Sequence, residues 1–274
     1  MKEPGESIGN IGLTSDDNVL LVCAKYGIAK GSFTDGTIEY ILMYNHNEVQ
    51  KNRLRSNDGL IDPWGHLWIG VMSDFPIVQL EGQEAQEGKL YRVNCHDLTI
   101  DVMLEDCFIP NGLAFSADRK KLYFTDSLTN AVWEYDYDYI PNKLSNKRVV
   151  LNFKDYLNTS DAVPDGLAIS KNEDIFSAVY NGSMVLKYTT TGRILQKFNL
   201  PAERITCVTI GGKDYDELYI TSANENLTNF DIEIDANDKS GDLGGFLYRI
   251  ALGESLNGHI MNTWGGKLKK NIPV

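Results

Sequence analysis

The sequence predicts an all-β protein of the β-propeller type, and three observations carry this prediction. A Gly-Leu dipeptide recurs, with its glycine at Gly12, Gly59, Gly112 and Gly166, which are 47, 53 and 54 residues apart. Each occurrence leads through a polar turn into a short β-rich run, and no long stretch has a convincing helical period. A period of roughly 40 to 50 residues is typical of propeller blades.

The repeated segments predict the first two strands of each blade. Four segments contain the Gly-Leu dipeptide and a fifth matches more loosely, which places the blade starts at residues 11–16, 58–63, 111–116, 165–170 and 206–211. The second strands are expected at residues 19–22, 67–71, 122–125, 175–179 and 218–221.

A third strand with alternating side chains and an aromatic residue follows in most repeats, at residues 89–93, 131–135, 184–188 and 246–250. Alternation of this kind suits a half-buried antiparallel strand. The Glu-rich residues 80–88 are predicted to form a surface loop. The alternative is a β-sandwich with regular turns, but a sandwich does not need the same dipeptide at the start of every sheet.

Length and composition fit one globular domain over residues 1–274, with a poorly ordered tail at residues 254–274. The 274 residues are 42% hydrophobic, which allows a substantial core. All-β chains of this length commonly form a single domain.

Charge and cysteine usage restrict the partners and the compartment. The net charge of −12 repels nucleic acid and anionic lipid, so neither a nucleic-acid nor a membrane partner is expected. The four cysteines form no CxxC pair, which favours free, mostly buried thiols in a reducing compartment over a zinc site or disulfide framework. Residues 1–6 contain no apolar signal-peptide segment, and the expected location is cytoplasmic.

Polar residues precede three of the repeated glycines and are the candidate site. In a propeller the inner strands begin at one mouth of the channel, so Asn57, Asp58, Asn111 and Asp165 are expected to converge there. Amide and carboxylate oxygens are the ligands that hard cations prefer. The alternative interpretation is a set of ordinary Asx-Gly turns, in which glycine supplies a positive φ.

Arg55 is the nearby cation that could hold an anionic or polyhydroxylated substrate, because its planar fork suits paired oxygens. The alternative is a surface arginine in the basic run of residues 51–55. The histidines His46, His66, His96 and His259 show no ligand spacing, and His66 is expected to be solvated in a turn. No serine-hydrolase, zincin or P-loop motif occurs.

The same residues resemble the family of regucalcin (senescence marker protein), gluconolactonase and luciferin-regenerating enzyme. The resemblance runs from about residue 10 to about residue 250. The motifs that carry it are Arg-Ser-Asn-Asp-Gly at 55–59, Pro-Asn-Gly-Leu at 110–113, Val-Pro-Asp-Gly at 163–166 and Ala-Val-Tyr-Asn-Gly at 178–182.

The resemblance implies a six-bladed type of propeller that holds one divalent cation and hydrolyses sugar lactones. It implies that Asn111 and Asp165 bind the metal, that Asp165 is also the catalytic base, and that Arg55 and Asn57 contact the substrate. The cation could be calcium, zinc, magnesium or manganese. We expect a monomer that acts on a small-molecule lactone.

Two departures from the family pattern set up an alternative. The third metal ligand of the family is a glutamate in a motif that this chain lacks, and Glu6 is too close to the first repeat to replace it. Most of the first blade is therefore expected to be missing, with about five blades visible. Phe75, next to Asp74, stands where the family has a substrate-contacting glutamate. The alternative function is a non-catalytic calcium-binding or scaffold propeller with a decayed site.

Overall fold

A computed structural model of the chain describes residues 6–157, 161–224, 242–252, 255–256, 258–259 and 261–266. These residues form five antiparallel sheets in which sequential strands are neighbours. The first sheet contains β1 (Ile8–Leu13), β2 (Val19–Ala24), β3 (Gly27–Ser32) and β4 (Ile38–Met43). The second contains β5 (Leu54–Ile61), β6 (Leu67–Ser73), β7 (Gly88–Val93) and β8 (Ile100–Cys107).

The remaining three sheets follow in chain order. The third contains β9 (Pro110–Phe115), β10 (Lys121–Asp126), β11 (Ala131–Asp138) and β12 (Lys143–Asn152). The fourth contains β13 (Val163–Ile169), β14 (Asp174–Tyr180), β15 (Met184–Thr189) and β16 (Ile194–Asn199). In the fifth, the described residues form β17 (Arg204–Gly211), β18 (Glu217–Ala223) and β19 (Leu247–Ala251).

Two short α-helices border the second sheet. Helix α1 (Glu48–Arg53) begins with a capping box, in which the side chains of Asn47 and Gln50 each accept from the other residue's backbone N–H. Helix α2 (Phe75–Glu81) has Asp74 as its N-cap and ends at Gly82, whose φ of 73° lies in the left-handed region. Single 3-10 turns follow β10 and β12, at Ser127–Thr129 and Phe153–Asp155.

The chain divides into two compact units, each with its own core. The first unit comprises Met1–Asn111, Ile140–Leu144 and Ile260–Val274, and its core packs apolar side chains of the first two sheets together with Trp264. The second comprises Gly112–Tyr139 and Ser145–His259, and contains two apolar clusters, one of which includes Phe153 and Tyr188. The other includes Phe176 and Phe198.

Glycine allows successive first strands to approach each other closely. A Cβ atom on Gly112 would lie only 2.5 Å from the backbone nitrogen of Leu167 and 2.7 Å from the carbonyl oxygen of Asp165. A Cβ atom on Gly166 would lie 2.9 Å from the Cα of Cys207. Real Cβ atoms do not tolerate such distances, so glycine is a packing requirement at these two positions.

A buried carboxylate organises the turn between β5 and β6. Asp62 is fully buried, and its Oδ1 accepts from the backbone nitrogens of Trp64 and His66, both at 2.9 Å. Its Oδ2 accepts from the indole Nε1 of Trp68 at 3.0 Å and lies 3.7 Å from the Nε of Arg92. One side chain thereby satisfies the turn backbone and neutralises a buried guanidinium.

The repeat prediction is confirmed in its main features. The first and second strands of all five sheets, and the third strands of the last four, fall where the repeated segments place them. The third strand of the first sheet, β3, was not predicted. The described residues form five sheets rather than the two of a β-sandwich. The six-bladed type and the single domain over residues 1–274 stay predictions. Part of the tail at residues 254–274 lies outside the described residues, and its described part contains the buried side chains of Leu256 and Trp264.

Several features escaped the sequence reasoning. The fourth strand of each complete sheet was not predicted, because these outer strands are largely exposed and lack a strong apolar pattern. The loop predicted at residues 80–88 begins inside α2, which ends at Glu81. The turn interpretation of the Asx-Gly pairs is wrong for Gly59, Gly112 and Gly166, which lie within strands and lack a left-handed φ.

The cysteines agree with the expectation of free thiols. All four are free, and three of them, Cys23, Cys95 and Cys107, are buried. Among the helices in the described part of the chain, none has the length and apolar character needed to cross a membrane.

We expect Asp62→Ala to lower the free energy of unfolding by about 3 kcal/mol or more, because it leaves the Trp68 indole and the turn N–H groups without their acceptor and removes one of the carboxylates near the buried Arg92. Urea unfolding followed by tryptophan fluorescence measures this loss. The control is Asp17→Ala, a change at an exposed carboxylate that should alter stability by no more than about 0.5 kcal/mol. Equal losses in the two variants would contradict the organising role of Asp62.

Candidate active site

Arg55 lies on β5 and is buried, with only 6% of its surface exposed. Its Nη1 donates to the carbonyl oxygen of Ser56 at 2.8 Å, and its Nη2 donates to the Oδ1 of Asn57 at 3.3 Å. Its guanidinium carbon lies 4.3 Å from the ring centroid of Phe75, which itself is 57% exposed. The interpretation of Arg55 as a surface arginine is therefore wrong, because β5 turns it inward from the exposed basic run.

An ion pair with Asp74 holds Arg55 in place. Asp74 Oδ1 lies 3.8 Å from Arg55 Nε, and Asp74 Oδ2 accepts from Lys25 Nζ at 2.5 Å. All three side chains are at most 13% exposed, so solvent screens their attraction weakly. Asp74 also caps α2 through the backbone nitrogen of Phe75, and this bond fixes both partners of the arginine at the helix start.

Asn57 and Asp58 have different partners. The Nδ2 of Asn57 donates to the carbonyl oxygen of Pro110 at 2.9 Å, which ties β5 to the strand that carries Asn111. The Oδ1 of Asp58 accepts from Asn10 Nδ2 at 3.1 Å and from the backbone nitrogen of Gly59 at 2.7 Å. Burial raises the pKa of the Asp58 carboxyl. Asp58 thus connects β1 to β5, whereas Asn57 points its amide towards β9.

The two predicted metal ligands lie on separate strands. Asn111 is the second residue of β9 and is 7% exposed, and it belongs to the first unit. Asp165 lies on β13 in the second unit and is half-buried. Within the second unit, the backbone of Gly112 lies against that of Asp165. The role of these two residues as metal ligands stays a prediction.

Acidic residues lie near Arg53 and Arg55, at the beginning of β5. Arg53 Nη1 lies 2.6 Å from Glu81 Oε1, and Arg53 Nε lies 2.9 Å from Glu87 Oε2. Glu84, between them in sequence, has a buried Oε2 without a hydrogen-bond partner in the structure. Burial raises the pKa of Glu84 to about 7, although the nearby Arg55 opposes the shift. The sequence reasoning missed Lys25 and Glu84, since both reach this region from other strands and loops.

Glu6 lies just before β1 and contacts β4. Its Oε1 accepts from the hydroxyl of Tyr40 at 2.9 Å. The expectation that Glu6 is not a metal ligand stays a prediction.

The structure corrects the expectation for His66. This side chain is only 1% exposed, and its Nδ1 accepts from the backbone nitrogen of Cys95 at 3.1 Å. His66, Cys95 and His96 each place one potential ligand atom within 4.8 Å of the others, and they form the sole group of three or more such side chains found among the described residues. Sequence spacing could not reveal the group, because His66 lies about 30 residues before the other two.

We expect Glu84→Gln to change the pH dependence of stability. The folded-state pKa of about 7 exceeds the ordinary value of 4.5, so the wild type loses stability as the pH rises through this window and Glu84 ionises in its buried position. Glutamine does not ionise, and the variant should therefore gain melting temperature relative to wild type between pH 5 and pH 8.

The control for this experiment is Glu48→Gln, a change at an exposed side chain of α1. Parallel melting-temperature curves for wild type and Glu84→Gln from pH 5 to pH 8 would contradict the raised pKa.

Comparison with known proteins identifies relatives along most of the chain. Residues 1–224 match the family described as SMP-30/Gluconolactonase/LRE-like region (SGL). Cell growth-regulated gene 1 protein of Candida albicans is 46% identical over 271 residues, covering 96% of this chain and 79% of that protein. Regucalcin of Bos taurus is 35% identical over 183 residues, covering 66% of this chain but only 58% of regucalcin.

Solved structures share the fold. A luciferin-regenerating enzyme has a TM-score of 0.76 with 29% identity, covering 93% of this chain and 81% of that one. A calcium-binding protein, regucalcin of Agrobacterium tumefaciens, has a TM-score of 0.75 with 21% identity, covering 94% of this chain and 79% of that one. The match over residues 1–224, together with the relatives above, shows that the chain belongs to the SMP-30/gluconolactonase/LRE-like family.

Proposed function

We propose that this chain is a divalent-metal-dependent hydrolase of sugar lactones, of the gluconolactonase type. The single observation that carries the proposal is the buried, braced Arg55 next to Asn57, whose amide is tied to the strand of Asn111. Family membership supports the reaction class, because gluconolactonase is one of the activities for which the family is named.

The donor chemistry of the predicted ligands fits a hard cation. Asn111 offers an amide oxygen and Asp165 a carboxylate, which suit calcium, magnesium or manganese, and zinc tolerates them. A bound cation would polarise the lactone carbonyl and stabilise negative charge on its oxygen. The half-buried position of Asp165 leaves its carboxylate partly accessible to water.

Arg55 and Asn57 are proposed to hold the hydroxyl groups of the lactone. The guanidinium is fixed by Asp74 on one edge and by the Phe75 ring on one face, so little side-chain entropy is lost when the substrate binds. Preorganised donors of this kind orient the substrate for attack at its carbonyl carbon.

Asp165 is proposed as the general base. Its carboxylate takes a proton from water as the water oxygen bonds to the carbonyl carbon, which gives a tetrahedral intermediate. The bond between this carbon and the ring oxygen then breaks. The departing ring oxygen receives the proton from Asp165, and the product is the open-chain hydroxy acid.

The second candidate is a non-catalytic calcium-binding or scaffold protein with a decayed site. The hydrogen bond from Tyr40 to Glu6 supports it, because it occupies one carboxylate oxygen of this residue. Fewer carboxylate ligands weaken the affinity for a hard cation. The cytoplasmic location, the monomeric state and the lack of nucleic-acid or membrane partners stay proposals.

We expect the purified chain to hydrolyse gluconolactone when calcium, magnesium, manganese or zinc is restored after chelation. Asp165→Ala should lower kcat/KM by about a hundredfold or more, because it removes both a ligand and the base. A pH-stat assay measures acid release, and a protein-free blank corrects for spontaneous hydrolysis. Full turnover in an Asp165→Asn variant would contradict the base role, and tight cation binding without turnover would favour the second candidate.

We expect Arg55→Lys to raise KM by roughly tenfold or more with a smaller change in kcat, because lysine keeps the charge but loses the planar fork. The control is Arg193→Lys, at an exposed position outside the proposed site. Thermal melting of both variants separates a folding defect from a binding defect. An unchanged KM in well-folded Arg55→Lys would contradict substrate binding by Arg55.

A further inference from the structure

Two turns of the second sheet bring together two imidazoles and a thiol. His66 ends the turn between β5 and β6, and Cys95 and His96 lie in the turn between β7 and β8. One potential ligand atom from each lies within 4.8 Å of the other two. His66 and Cys95 are buried and His96 is exposed, so the group has a protected side and a side open to water.

Hydrogen bonds hold both turns in place. Asp62 Oδ1 accepts from the backbone nitrogen of His66 at 2.9 Å, and Asn94 Oδ1 accepts from that of His96 at 2.9 Å. The carbonyl oxygen of Asn94 accepts from the backbone nitrogen of Leu98 at 2.9 Å, which closes the second turn. The three side chains are therefore anchored on constrained backbone, which lowers the ordering cost of binding an ion between them.

The donor set selects a borderline transition metal rather than a hard cation. Imidazole nitrogen and thiolate sulfur are ordinary zinc ligands, at about 2.0–2.1 Å and about 2.3 Å respectively. Tetrahedral angles at those bond lengths put the ligand atoms roughly 3.3–3.6 Å apart, so any pair of them must approach by at most about 1.5 Å. The exposed His96 can make most of that movement.

Ion binding must displace the thiol proton of Cys95 and break the hydrogen bond between Cys95 and His66. Burial raises the pKa of the Cys95 thiol, and the ion must displace its proton. The Nδ1 lone pair of His66 accepts from the Cys95 N–H. Metal on Nδ1 takes that lone pair, and metal on Nε2 puts a proton on Nδ1, so either mode of binding breaks this hydrogen bond.

We propose that His66, Cys95 and His96 form a second metal site that binds one zinc-type divalent ion, with water at the fourth position. None of the three residues is among the predicted lactonase residues, so the site does not depend on the proposed function. The ion would link the β5–β6 turn to the β7–β8 turn and thereby stabilise the second sheet. Gly265 packs beside the Cys95 sulfur, so the ion would also stabilise the segment around Trp264.

The first test uses the whole chain, chelated and kept reduced, and titrated with Co²⁺ as a spectroscopic probe for Zn²⁺. The Asp165→Ala background removes a predicted ligand of the other site. We expect a thiolate-to-cobalt charge-transfer band that Zn²⁺ abolishes. Cys95→Ser should eliminate the band, and His96→Ala should weaken Co²⁺ binding at least about tenfold. Cys107→Ser is the matched control, a buried cysteine of the same sheet outside the group, and should keep the band.

Selective ¹⁵N labelling of cysteine provides a second readout. The chain has four cysteines, so the spectrum should show four backbone amide signals. Zn²⁺ should shift the Cys95 signal most, because its N–H loses the His66 acceptor. In His96→Ala the same shift should require at least about tenfold more Zn²⁺, and the exposed position of His96 makes a folding defect unexpected.

Three results would overturn the proposal. These are the absence of a charge-transfer band at saturating Co²⁺, a band that persists in Cys95→Ser, and a Cys95 amide signal that does not move at saturating Zn²⁺.

Discussion

The close approach of successive first strands is the constraint on which the arrangement of this chain depends. Gly112 and Gly166 lie where a Cβ atom would collide with the backbone or Cα of the following first strand. Within the second unit, this contact places Gly112 beside β13 and Gly166 beside β17. Gly112 and Gly166, which were candidates for turns, are therefore required for strand packing.

Buried carboxylates stabilise turns and buried cationic side chains in the first unit. Asp62 holds a turn backbone and a guanidinium, whereas Asp74 holds Lys25 and Arg55 and caps a helix. A buried charge without a partner would cost several kcal/mol, so each of these networks is stable only when all of its members are present. The proposed substrate arginine thus depends on Lys25, in the turn between β2 and β3, 30 residues away along the chain.

The two candidate ion sites illustrate different limits of prediction. The Asn and Asp residues of the first were recognisable because they repeat with the blades and resemble a known family. The His66, Cys95 and His96 group has no such pattern, because its members come from turns of adjacent hairpins that meet only when the second sheet forms. Donor chemistry separates them further, since oxygen ligands favour hard cations and nitrogen and sulfur favour zinc.

The sequence by itself determined the all-β class, the blade starts and the position of three strands in most repeats, because glycine spacing and side-chain alternation are local properties. It also determined family membership through motifs such as Arg-Ser-Asn-Asp-Gly at residues 55–59. Only the tertiary structure decided that Arg55 and His66 are buried, that Asp74 pairs with Lys25, and that Glu84 has a raised pKa. Burial and charge pairing depend on which distant strands become neighbours, and the pattern of a single strand does not contain that information.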